Sequence, residues 1–455
     1  MLRGAQCRSD HGGPGPGTQV CSAIVDLFAS LGKPKGSRPA GGRRARYPRW
    51  PVTTTVPSGD PYYKKTIALR VYGRTLELDV AHDLFSGHDI DAGTRLLLRS
   101  LATQEHEHRS SVVDLGCGYG PLGLGLKVLV PNRSLDLVDR DSLAIAYSRR
   151  NAERNGMPDA RAYASLGWND VRGDGFDLAV CNIPAKAGER AIRHFLLDVR
   201  QYLAPSGLVA IVVVARLDDM VRGLLTESAE VEVLFSKRVA GYSVYHYGFT
   251  AAGLPKSEAP EDPLGVFERG TIETDFRGLQ YKLRTAYSLP EFDTLGYETE
   301  LIAERLLALR RPPRHLLVFN PGQGHLPVLV WKHLEPERVT LAGRDLLALR
   351  YSRANTAANG CPSERLKLLH EVRVEPADTE DVDLALAVLR ERQPAAVSEF
   401  EIRALAQGLR PRARLLVGGS STAITRLESA FARDRVVRIV GRKRNKGHSV
   451  LEMVA

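Results

Sequence analysis

A short glycine-rich run carries the residues of this chain that are best suited to hold a nucleotide-like ligand. It reads Asp114-Leu115-Gly116-Cys117-Gly118-Tyr119-Gly120 and lies between an apolar segment of strand length and a segment with helical spacing. Glycines in such a turn let the backbone approach a ligand closely. The start of the following helix supplies N–H donors and a positive dipole end. The run therefore predicts a binding loop for a nucleotide that bears a carboxylate or a phosphate.

Two features near the loop narrow the kind of nucleotide. Dinucleotide-binding loops need a third glycine where this chain has Pro121, which argues against a dinucleotide. Asp139 closes the next predicted strand, 25 residues after Asp114, and a carboxylate there can accept hydrogen bonds from both hydroxyls of a ribose. An alternative role for Asp139 is to cap a helix, but Asp141 or Ser142 is better placed for that. We therefore predict that Asp139 binds a ribose.

A third group of residues could act on a substrate. Asn182-Ile183-Pro184 follows the apolar residues 178–181, at the carboxyl edge where α/β sheets bind their ligands. The side-chain oxygen of Asn182 can accept a hydrogen bond from an amine, and a backbone carbonyl beyond it can accept a second. The nitrogen lone pair is then aimed at an electrophile, and such positioning supplies much of the rate of a displacement reaction. The alternative is that Asn182 and Pro184 only shape a turn.

These residues need a sheet that presents several strand ends at one edge. Residues 66–71 and 75–80 alternate as a hairpin would, and residues 91–101 have helical spacing. The pattern beyond them predicts strands at residues 112–115, 135–138, 176–181 and 208–214, separated by helices at residues 121–128, 142–155 and 189–203. This alternation is typical of a parallel sheet with crossover helices.

The same succession of elements occurs twice. The segment from Tyr147 to Gly156 recurs 204 residues later as the segment from Tyr351 to Gly360. Four further segments of the second half, residues 316–324, 383–388, 415–417 and 447–450, match segments of the first half in the same order along the chain. We therefore predict an internal duplication of a whole domain. The predicted organisation is an extension at residues 1–60, a first domain at residues 61–250, a linker at residues 251–270 and a second domain at residues 271–455.

The first domain resembles the class I methyltransferases that use S-adenosylmethionine. Residues 113–120 are similar to their first motif, and Leu137-Val138-Asp139 is similar to their second. The resemblance implies an α/β fold, with two tandem Rossmann-like domains whose sheets are mixed, mostly parallel and covered by helices on both faces. It also implies that Gly116 and Gly118 line the methionine part of the cofactor, with Ser165 or Leu166 near the adenine. The cofactor-binding residues predicted on this basis are Asp114, Gly116, Cys117, Gly118, Gly120, Asp139 and Ser165.

Within that class the chain resembles the "methyltransferase small" family, which includes guanine-N2 methyltransferases of ribosomal RNA. The resemblance is carried by the stretch around Asn182, by the upstream segment of residues 85–98, and by Lys237 and residues 241–244. It implies that Asn182, Ile183 and Pro184 are the catalytic residues. The family's fourth motif is Asn-Pro-Pro followed by an aromatic residue, but Ala185 stands at the aromatic position. Lys186, or an aromatic residue elsewhere, could compensate.

The second domain departs from these motifs. By sequence, Asn320 corresponds to Asp114, Leu326 to Gly120, Gly343 to Asp139, and Val388-Leu389-Arg390 to Asn182-Ile183-Pro184. A leucine in the loop would crowd the cofactor, and no carboxylate remains for the ribose. We therefore predict that the second domain keeps the fold without the cofactor. The ribosomal guanine-N2 enzymes also pair an active copy with a degenerate one, but with the degenerate copy first.

The bulk composition is that of a basic globular protein. Of the 455 residues, 43% are hydrophobic and 25% are charged, and the net charge is +10. This charge fits a phosphate-rich partner such as RNA, or it reflects an arginine-rich composition alone. The five cysteines include no Cys-x-x-Cys pair, so neither a zinc site nor a disulfide framework is indicated and a reducing cytoplasm is expected. No apolar run reaches the roughly 18 residues of a membrane span.

Two segments of biased composition have alternative interpretations. Residues 1–60 are rich in Gly, Pro and Arg, which predicts a disordered basic extension, with a transit peptide as the alternative. Basic residues of the second domain are either phosphate contacts or a solvated edge. They are Arg310, Arg311, Arg410, Arg412, Arg414 and residues 442–446.

Taken together, the motifs predict a methyltransferase that uses S-adenosylmethionine and acts on an exocyclic amine of guanine. Its expected partner is ribosomal RNA or a pre-ribosomal particle, and its expected state is a monomer whose two domains mimic a dimer. One alternative is a methyltransferase for a small molecule or a protein. The other is a non-catalytic RNA-binding protein with a vestigial pocket.

Overall fold

The computed structural model describes residues 59–102, 109–131, 133–239, 241–250, 262–391 and 393–455. In the first half of this part, a hairpin precedes an α/β sheet. The hairpin is β1 (Tyr63–Val71) and β2 (Arg74–Ala81), and the sheet strands are β3 (Ser111–Leu115), β4 (Ser134–Asp139), β5 (Arg161–Ala164), β6 (Phe176–Asn182), β7 (Leu203–Val214), β8 (Val231–Val239) and β9 (Tyr242–Phe249). The helices are α1 (Ala92–Ala102), α2 (Pro121–Leu129), α3 (Ser142–Arg154), α4 (Glu189–Leu197) and α5 (Asp218–Glu227).

The second half repeats this series of elements. Its hairpin is β10 (Glu268–Phe276) and β11 (Leu279–Ala286), and its sheet strands are β12 (His315–Phe319), β13 (Arg338–Gly343), β14 (Leu366–His370), β15 (Leu384–Val388), β16 (Arg414–Ser420), β17 (Arg438–Asn445) and β18 (His448–Val454). Its helices are α6 (Tyr297–Leu306), α7 (His325–Leu334), α8 (Leu346–Ala358), α9 (Ala395–Gln407) and α10 (Ser421–Phe431).

The two sheets have the same topology. Their strand orders are β5-β4-β3-β6-β7-β9-β8 and β14-β13-β12-β15-β16-β18-β17. In each sheet the first five strands of this order are parallel, and the sixth, β9 or β18, is antiparallel to the strand on either side of it. The strand order reverses between β3 and β6, and between β12 and β15, which is where open α/β sheets bind ligands. The prediction of two tandem, mostly parallel Rossmann-like sheets is confirmed.

The local structure follows the predicted pattern except at residues 198–207, which form a 3₁₀ turn and the start of β7. Asp141 caps α3, because its side chain accepts a hydrogen bond from the Leu143 amide. The helix predicted at residues 189–203 is shorter than expected, since α4 ends at Leu197 and a 3₁₀ turn covers Asp198–Tyr202. That tighter turn lets the ring of Tyr202 stack on Trp168 at 5.3 Å, a tertiary contact that helical periodicity does not reveal.

Two predicted boundaries need correction. Asp60 lies in the predicted disordered extension, but its carboxylate accepts hydrogen bonds from Tyr147 and Arg150 at 2.8 Å each. Residues 262–270 lie in the predicted linker, but Phe267 is buried and β10 begins at Glu268. The rest of the predicted extension and of the predicted linker, residues 1–58 and 251–261, lies outside the described residues.

The two halves pack through equivalent segments. Ser142 donates a backbone hydrogen bond to Arg344 at 2.9 Å, and Leu346 donates one to Arg140 at 3.0 Å. The side chains form reciprocal ion pairs between the halves, since Arg140 pairs with Asp345 at 3.5 Å and Arg344 pairs with Asp141 at 3.3 Å. The segment that follows β4 therefore binds its own counterpart after β13.

Apolar packing reinforces this contact between the halves. Leu346, Leu347 and Tyr351 at the start of α8 are buried among core residues of the first half, such as Val138 and Tyr163. The halves thus share a continuous core. Within the described part of the chain, no helix is long and apolar enough to span a membrane.

Candidate active site

The register of the first sheet brings three predicted site residues to one level. Leu115 of β3 pairs with Val138 of β4 and with Cys181 of β6. The next residue of each strand is therefore level with the others, and these residues are Gly116, Asp139 and Asn182. The sheet thus aligns the glycine loop, the predicted ribose carboxylate and the predicted amine acceptor along its carboxyl edge.

The three loop glycines have left-handed backbones but different surroundings. Gly116 has a φ of +73° and Gly118 a φ of +57°, and a Cβ atom built on either would meet nothing within 4 Å. Gly120 has a φ of +91°, and its Cβ would lie 3.0 Å from Leu124 Cδ1. Gly116 and Gly118 therefore leave open space beside the backbone, whereas Gly120 allows α2 to pack closely.

Asp114 and Cys117 face the interior. The Asp114 carboxylate is 1% exposed and accepts a hydrogen bond from the Gly123 amide at 2.8 Å, so it anchors the first turn of α2. Burial raises the pKa of this carboxyl to about 7. Burial likewise raises the pKa of the Cys117 thiol, which lies 3.4 Å from Ser148 Oγ. Both side chains support the loop from beneath and do not line its open side.

Asp139 is tied to the loop by backbone hydrogen bonds. Its Oδ2 accepts from the Gly118 amide at 3.0 Å, and its Oδ1 accepts from the Asp141 amide at 2.9 Å. Burial raises the pKa of Asp139 to about 6. Since a carboxylate oxygen can accept more than one hydrogen bond, both oxygens retain capacity for further donors.

Ser165 shapes the loop that follows β5. Its hydroxyl donates to the Gly167 carbonyl at 2.6 Å and accepts from the Asp170 amide at 3.2 Å. The Ser165 amide also donates to the Asp139 carbonyl at 3.0 Å. Ser165 and Leu166 are both buried, so in this structure they hold the loop next to Asp139 from within.

The amide of Asn182 has a fixed orientation. Its Nδ2 donates to Asp91 Oδ2 at 2.9 Å and to Thr94 Oγ1 at 3.2 Å. Asp91 Oδ1 in turn accepts from the Tyr242 hydroxyl at 3.2 Å. Within the described residues no donor is bonded to Asn182 Oδ1. The network thus commits the amide nitrogen to the protein and leaves the oxygen for an incoming donor.

Ile183 and Pro184 complete the turn after β6. Ile183 is buried and its amide donates to the Val212 carbonyl at 2.9 Å, while Pro184 is exposed and its carbonyl accepts from Ala187 at 3.2 Å. Asp91, Thr94 and Tyr242 were not predicted as site residues. The signal available was their position in the two segments, around residues 85–98 and 241–244, that resemble the methyltransferase small family.

The second half shows that part of the predicted alignment was wrong. Phe319 of β12 pairs with Ala342 and Ala387, so Asn320, Gly343 and Val388 stand at the level of Gly116, Asp139 and Asn182. Asn320 therefore answers Gly116 and not Asp114. Gly324 has a φ of +101° and precedes α7, as Gly120 precedes α2, so Leu326 lies inside the helix. Leu326 thus does not crowd the loop of the second half, and that part of the prediction is wrong.

Asn320 and Arg390 occupy the corresponding site in the second half. Asn320 Nδ2 donates to the Val388 carbonyl at 3.0 Å, and Arg390 donates to Asn320 Oδ1 at 3.4 Å. A Cβ on Gly343 would lie 3.3 Å from Asn320 Oδ1. Burial beside Arg344 lowers the pKa of Arg390. The second half therefore has no carboxylate at this position, and the Asn320 side chain and the partly buried Arg390 lie there.

Comparisons with known proteins agree with this geometry. The methyltransferase small domain matches residues 75–246. The uncharacterized protein YbxB of Bacillus subtilis is 30% identical over 151 residues, which cover 33% of this chain and 74% of that protein. Ribosomal RNA large subunit methyltransferase G of Shewanella sp. is 30% identical over 203 residues, and ribosomal RNA small subunit methyltransferase C of Hahella chejuensis is 35% identical over 142. These cover 42% and 30% of this chain, but only 51% and 40% of the two relatives.

A solved structure matches both halves of the chain. The 16S rRNA N2 methyltransferase of T. thermophilus, in complex with AdoMet and guanosine, superposes with a TM-score of 0.61 at 17% identity. The match covers 86% of this chain and 98% of that structure, so the tandem fold is shared. The family match falls on the half that contains the open loop, Asp139 and Asn182. The chain belongs to the methyltransferase small domain family.

Proposed function

We propose that the first half is a methyltransferase that uses S-adenosylmethionine and modifies an exocyclic amine of guanine in ribosomal RNA. The observation that carries the proposal is the Asn182 amide, whose nitrogen is held by Asp91 and Thr94 while its oxygen is left for a donor. An amine N–H is the kind of donor that this oxygen can accept.

The residues at the sheet edge fit this cofactor. Gly116 and Gly118 leave space beside the backbone where any Cβ would intrude, and Asp139 supplies a carboxylate one strand away for the ribose hydroxyls. When bound, S-adenosylmethionine supplies an electrophilic methyl group on a sulfonium. The second half has Asn320 and Gly343 at the positions of Gly116 and Asp139. It also holds Arg390 beside Asn320, and the positive charge of Arg390 would repel a sulfonium. We therefore expect one cofactor per chain.

The chain's own contribution to the reaction is positioning. By accepting a hydrogen bond from the exocyclic amine, Asn182 Oδ1 fixes the direction of the nitrogen lone pair, which is the main requirement of a direct displacement. The amide cannot turn over cheaply, because a flip would place its oxygen against the Asp91 carboxylate. No strong base is needed, since the amine can lose its proton after the new bond has formed.

Two observations support guanine in RNA as the substrate, and not a small molecule or a protein. Two relatives are named for ribosomal RNA, and the structural neighbour was solved with guanosine. The basic residues of the second half add little support. Arg410, Arg414, Arg442 and Lys443 all form ion pairs within the chain, so they are only partly available for phosphate contacts.

The test combines cofactor binding with methyl transfer. Calorimetry should give one S-adenosylmethionine site per chain, and labelled methyl should enter ribosomal RNA and not a protein fraction. Asn182→Ala should bind the cofactor as the wild type does, with a kcat about 100-fold lower, in the range found when one positioned hydrogen-bonding group is removed. Asn445→Ala, which removes an exposed amide at the end of β17, is the matched control and should behave as the wild type.

Three outcomes would contradict the proposal. They are absence of cofactor binding, transfer to protein alone, and full activity of Asn182→Ala on the true substrate. Mass spectrometry of rRNA nucleosides from cells with and without the protein would identify the modified position.

A further inference from the structure

An aromatic residue of the second half lies against the catalytic turn of the first. Tyr287 directly follows β11, and a Cβ placed on Gly188 would lie 2.8 Å from its Cγ and Cε2. This spacing is shorter than real Cβ contacts, so the ring packs directly on the glycine backbone. The next residue, Ser288, donates from its hydroxyl to the Lys186 carbonyl at 2.9 Å. The second half thus reaches the turn that begins at Asn182.

The turn itself offers no aromatic surface. Residues 182–188 read Asn-Ile-Pro-Ala-Lys-Ala-Gly, with Ala185 only partly exposed and Lys186 exposed. A flat base bound next to Asn182 needs a stacking partner, because unstacked bases are commonly held on aromatic side chains. Tyr287 is 39% exposed, so part of its ring remains uncovered beside this turn.

We propose that Tyr287 is the stacking platform for the target base, so that the second half completes the substrate site of the first. This inference rests on the proposed function, since it requires a base at Asn182. It assigns to the second half a direct contact with substrate in addition to its packing role.

The backbone around Tyr287 is held in place. The Tyr287 amide donates to the Phe267 carbonyl at 3.2 Å, and Leu289 is 4% exposed within the same core as Ile183 and Ala187. Ser288 has a φ of +67°, a conformation that persists only where surrounding contacts fix it. A ring on such a segment loses little conformational entropy on binding a base.

Two other aromatic residues of the first half are less suitable. The Tyr242 hydroxyl donates to Asp91, and its ring would contact a Cβ on Gly93 at 2.9 Å, so it is committed to the Asn182 network. Phe85 is 73% exposed, but no ring, ion-pair or hydrogen-bond contact in the described structure fixes its side chain. Phe85 therefore serves as the competing platform in the test.

The experiment uses 2-aminopurine riboside, a fluorescent nucleoside that carries the exocyclic 2-amino group and loses emission when it stacks on an aromatic ring. It is titrated into the full chain with S-adenosylhomocysteine present, while calorimetry measures cofactor affinity separately. The wild type and Tyr287→Phe should quench the nucleoside, and Tyr287→Ala should weaken its binding at least about tenfold, as expected for loss of one stacking contact. Cofactor affinity should be the same in all three proteins.

The controls and the remaining outcomes are specific. Tyr297→Ala removes a tyrosine of the second half that is also 39% exposed but packs on His448, and it should bind the nucleoside as the wild type does. The KM for ribosomal RNA should rise in Tyr287→Ala more than kcat falls. Normal quenching by Tyr287→Ala, loss of quenching in Phe85→Ala instead, or no quenching by a wild type that binds cofactor would each overturn the role of Tyr287. Failure to bind cofactor would overturn the proposed function and, with it, this role.

Discussion

Alanine substitution at Gly116 should distinguish two effects of an added methyl group, namely the loss of space for a ligand and the strain of the backbone. Gly116 has a φ of +73° and open space where a Cβ would be. Gly73, in the turn between β1 and β2, has a φ of +72° and equally open space. The two positions thus impose the same conformational demand, and only Gly116 lies at the sheet edge with Asp139 and Asn182.

The magnitudes follow from this match. An L-residue in the left-handed region costs about 1–2 kcal/mol, so Gly116→Ala and Gly73→Ala should lose similar stability. For a domain of this size the expected fall in Tm is about 2–8 °C in each. Only Gly116→Ala should weaken S-adenosylmethionine binding, by at least about tenfold or 1.4 kcal/mol, because its methyl group occupies the space assigned to the cofactor.

Thermal unfolding and calorimetry on the two variants provide the assay. Equal losses of Tm together with a selective loss of cofactor affinity in Gly116→Ala would support the assignment. The reasoning is refuted if Gly116→Ala binds the cofactor as tightly as Gly73→Ala does, because the open side of the loop would then not be the ligand side.

Three further predictions concern carboxylates and one buried arginine. Burial raises the pKa of Asp139 to about 6, and we propose that only its charged form accepts the ribose hydroxyls. Cofactor affinity should therefore fall about tenfold from pH 7.5 to pH 5. Calorimetry should find this dependence in Asp114→Asn but not in Asp139→Asn. Asp91→Ala should lower kcat about 10- to 100-fold with cofactor affinity unchanged, because the Asn182 amide loses a charge-assisted hydrogen bond. Single-turnover assays should find that Asp91→Asn loses less activity, because the asparagine keeps an acceptor oxygen. Arg344→Met removes the ion pairs to Asp83 and Asp141 across the two halves, and chemical denaturation should show a free energy of unfolding lower by about 3 kcal/mol. The control Arg222→Met, at an exposed ion pair, should lower it by no more than about 0.5 kcal/mol.

Local sequence was sufficient for the parts of the fold that depend on periodicity and caps. Buried strands such as residues 208–214 are continuous apolar runs, and Asp141 has the position and side chain of a helix cap. The order of these elements predicted the sheet because crossover connections leave few alternatives. The 3₁₀ turn after Leu197 was missed, since it is set by contacts such as Tyr202 on Trp168.

The active site was predictable in composition but not in orientation. A motif names Asp114, Gly116, Cys117 and Gly120 together, yet only the folded chain shows that Asp114 and Cys117 point inward. The bond between Asn182 and Asp91 joins residues 91 positions apart, which no local pattern reports. The alignment error at Asn320 arose from matching the loops by residue type, whereas strand pairing fixes the register independently of residue type.

The packing of the two halves gives the second half a role that does not require a binding site of its own. Arg344 and Leu346 bind the segment just after Asp139, Arg350 pairs with Asp170 in the loop after β5 at 2.6 Å, and Ser288 bonds to Lys186 in the turn after β6. The second half therefore contacts each of the three loops that follow β4, β5 and β6, which carry the predicted ribose, adenine and amine contacts. Loops are the mobile part of such a sheet, and catalysis by positioning needs them fixed. Fixing these loops requires the fold of the second half and its side chains at the interface. It does not require a glycine at residue 320 or a carboxylate at residue 343.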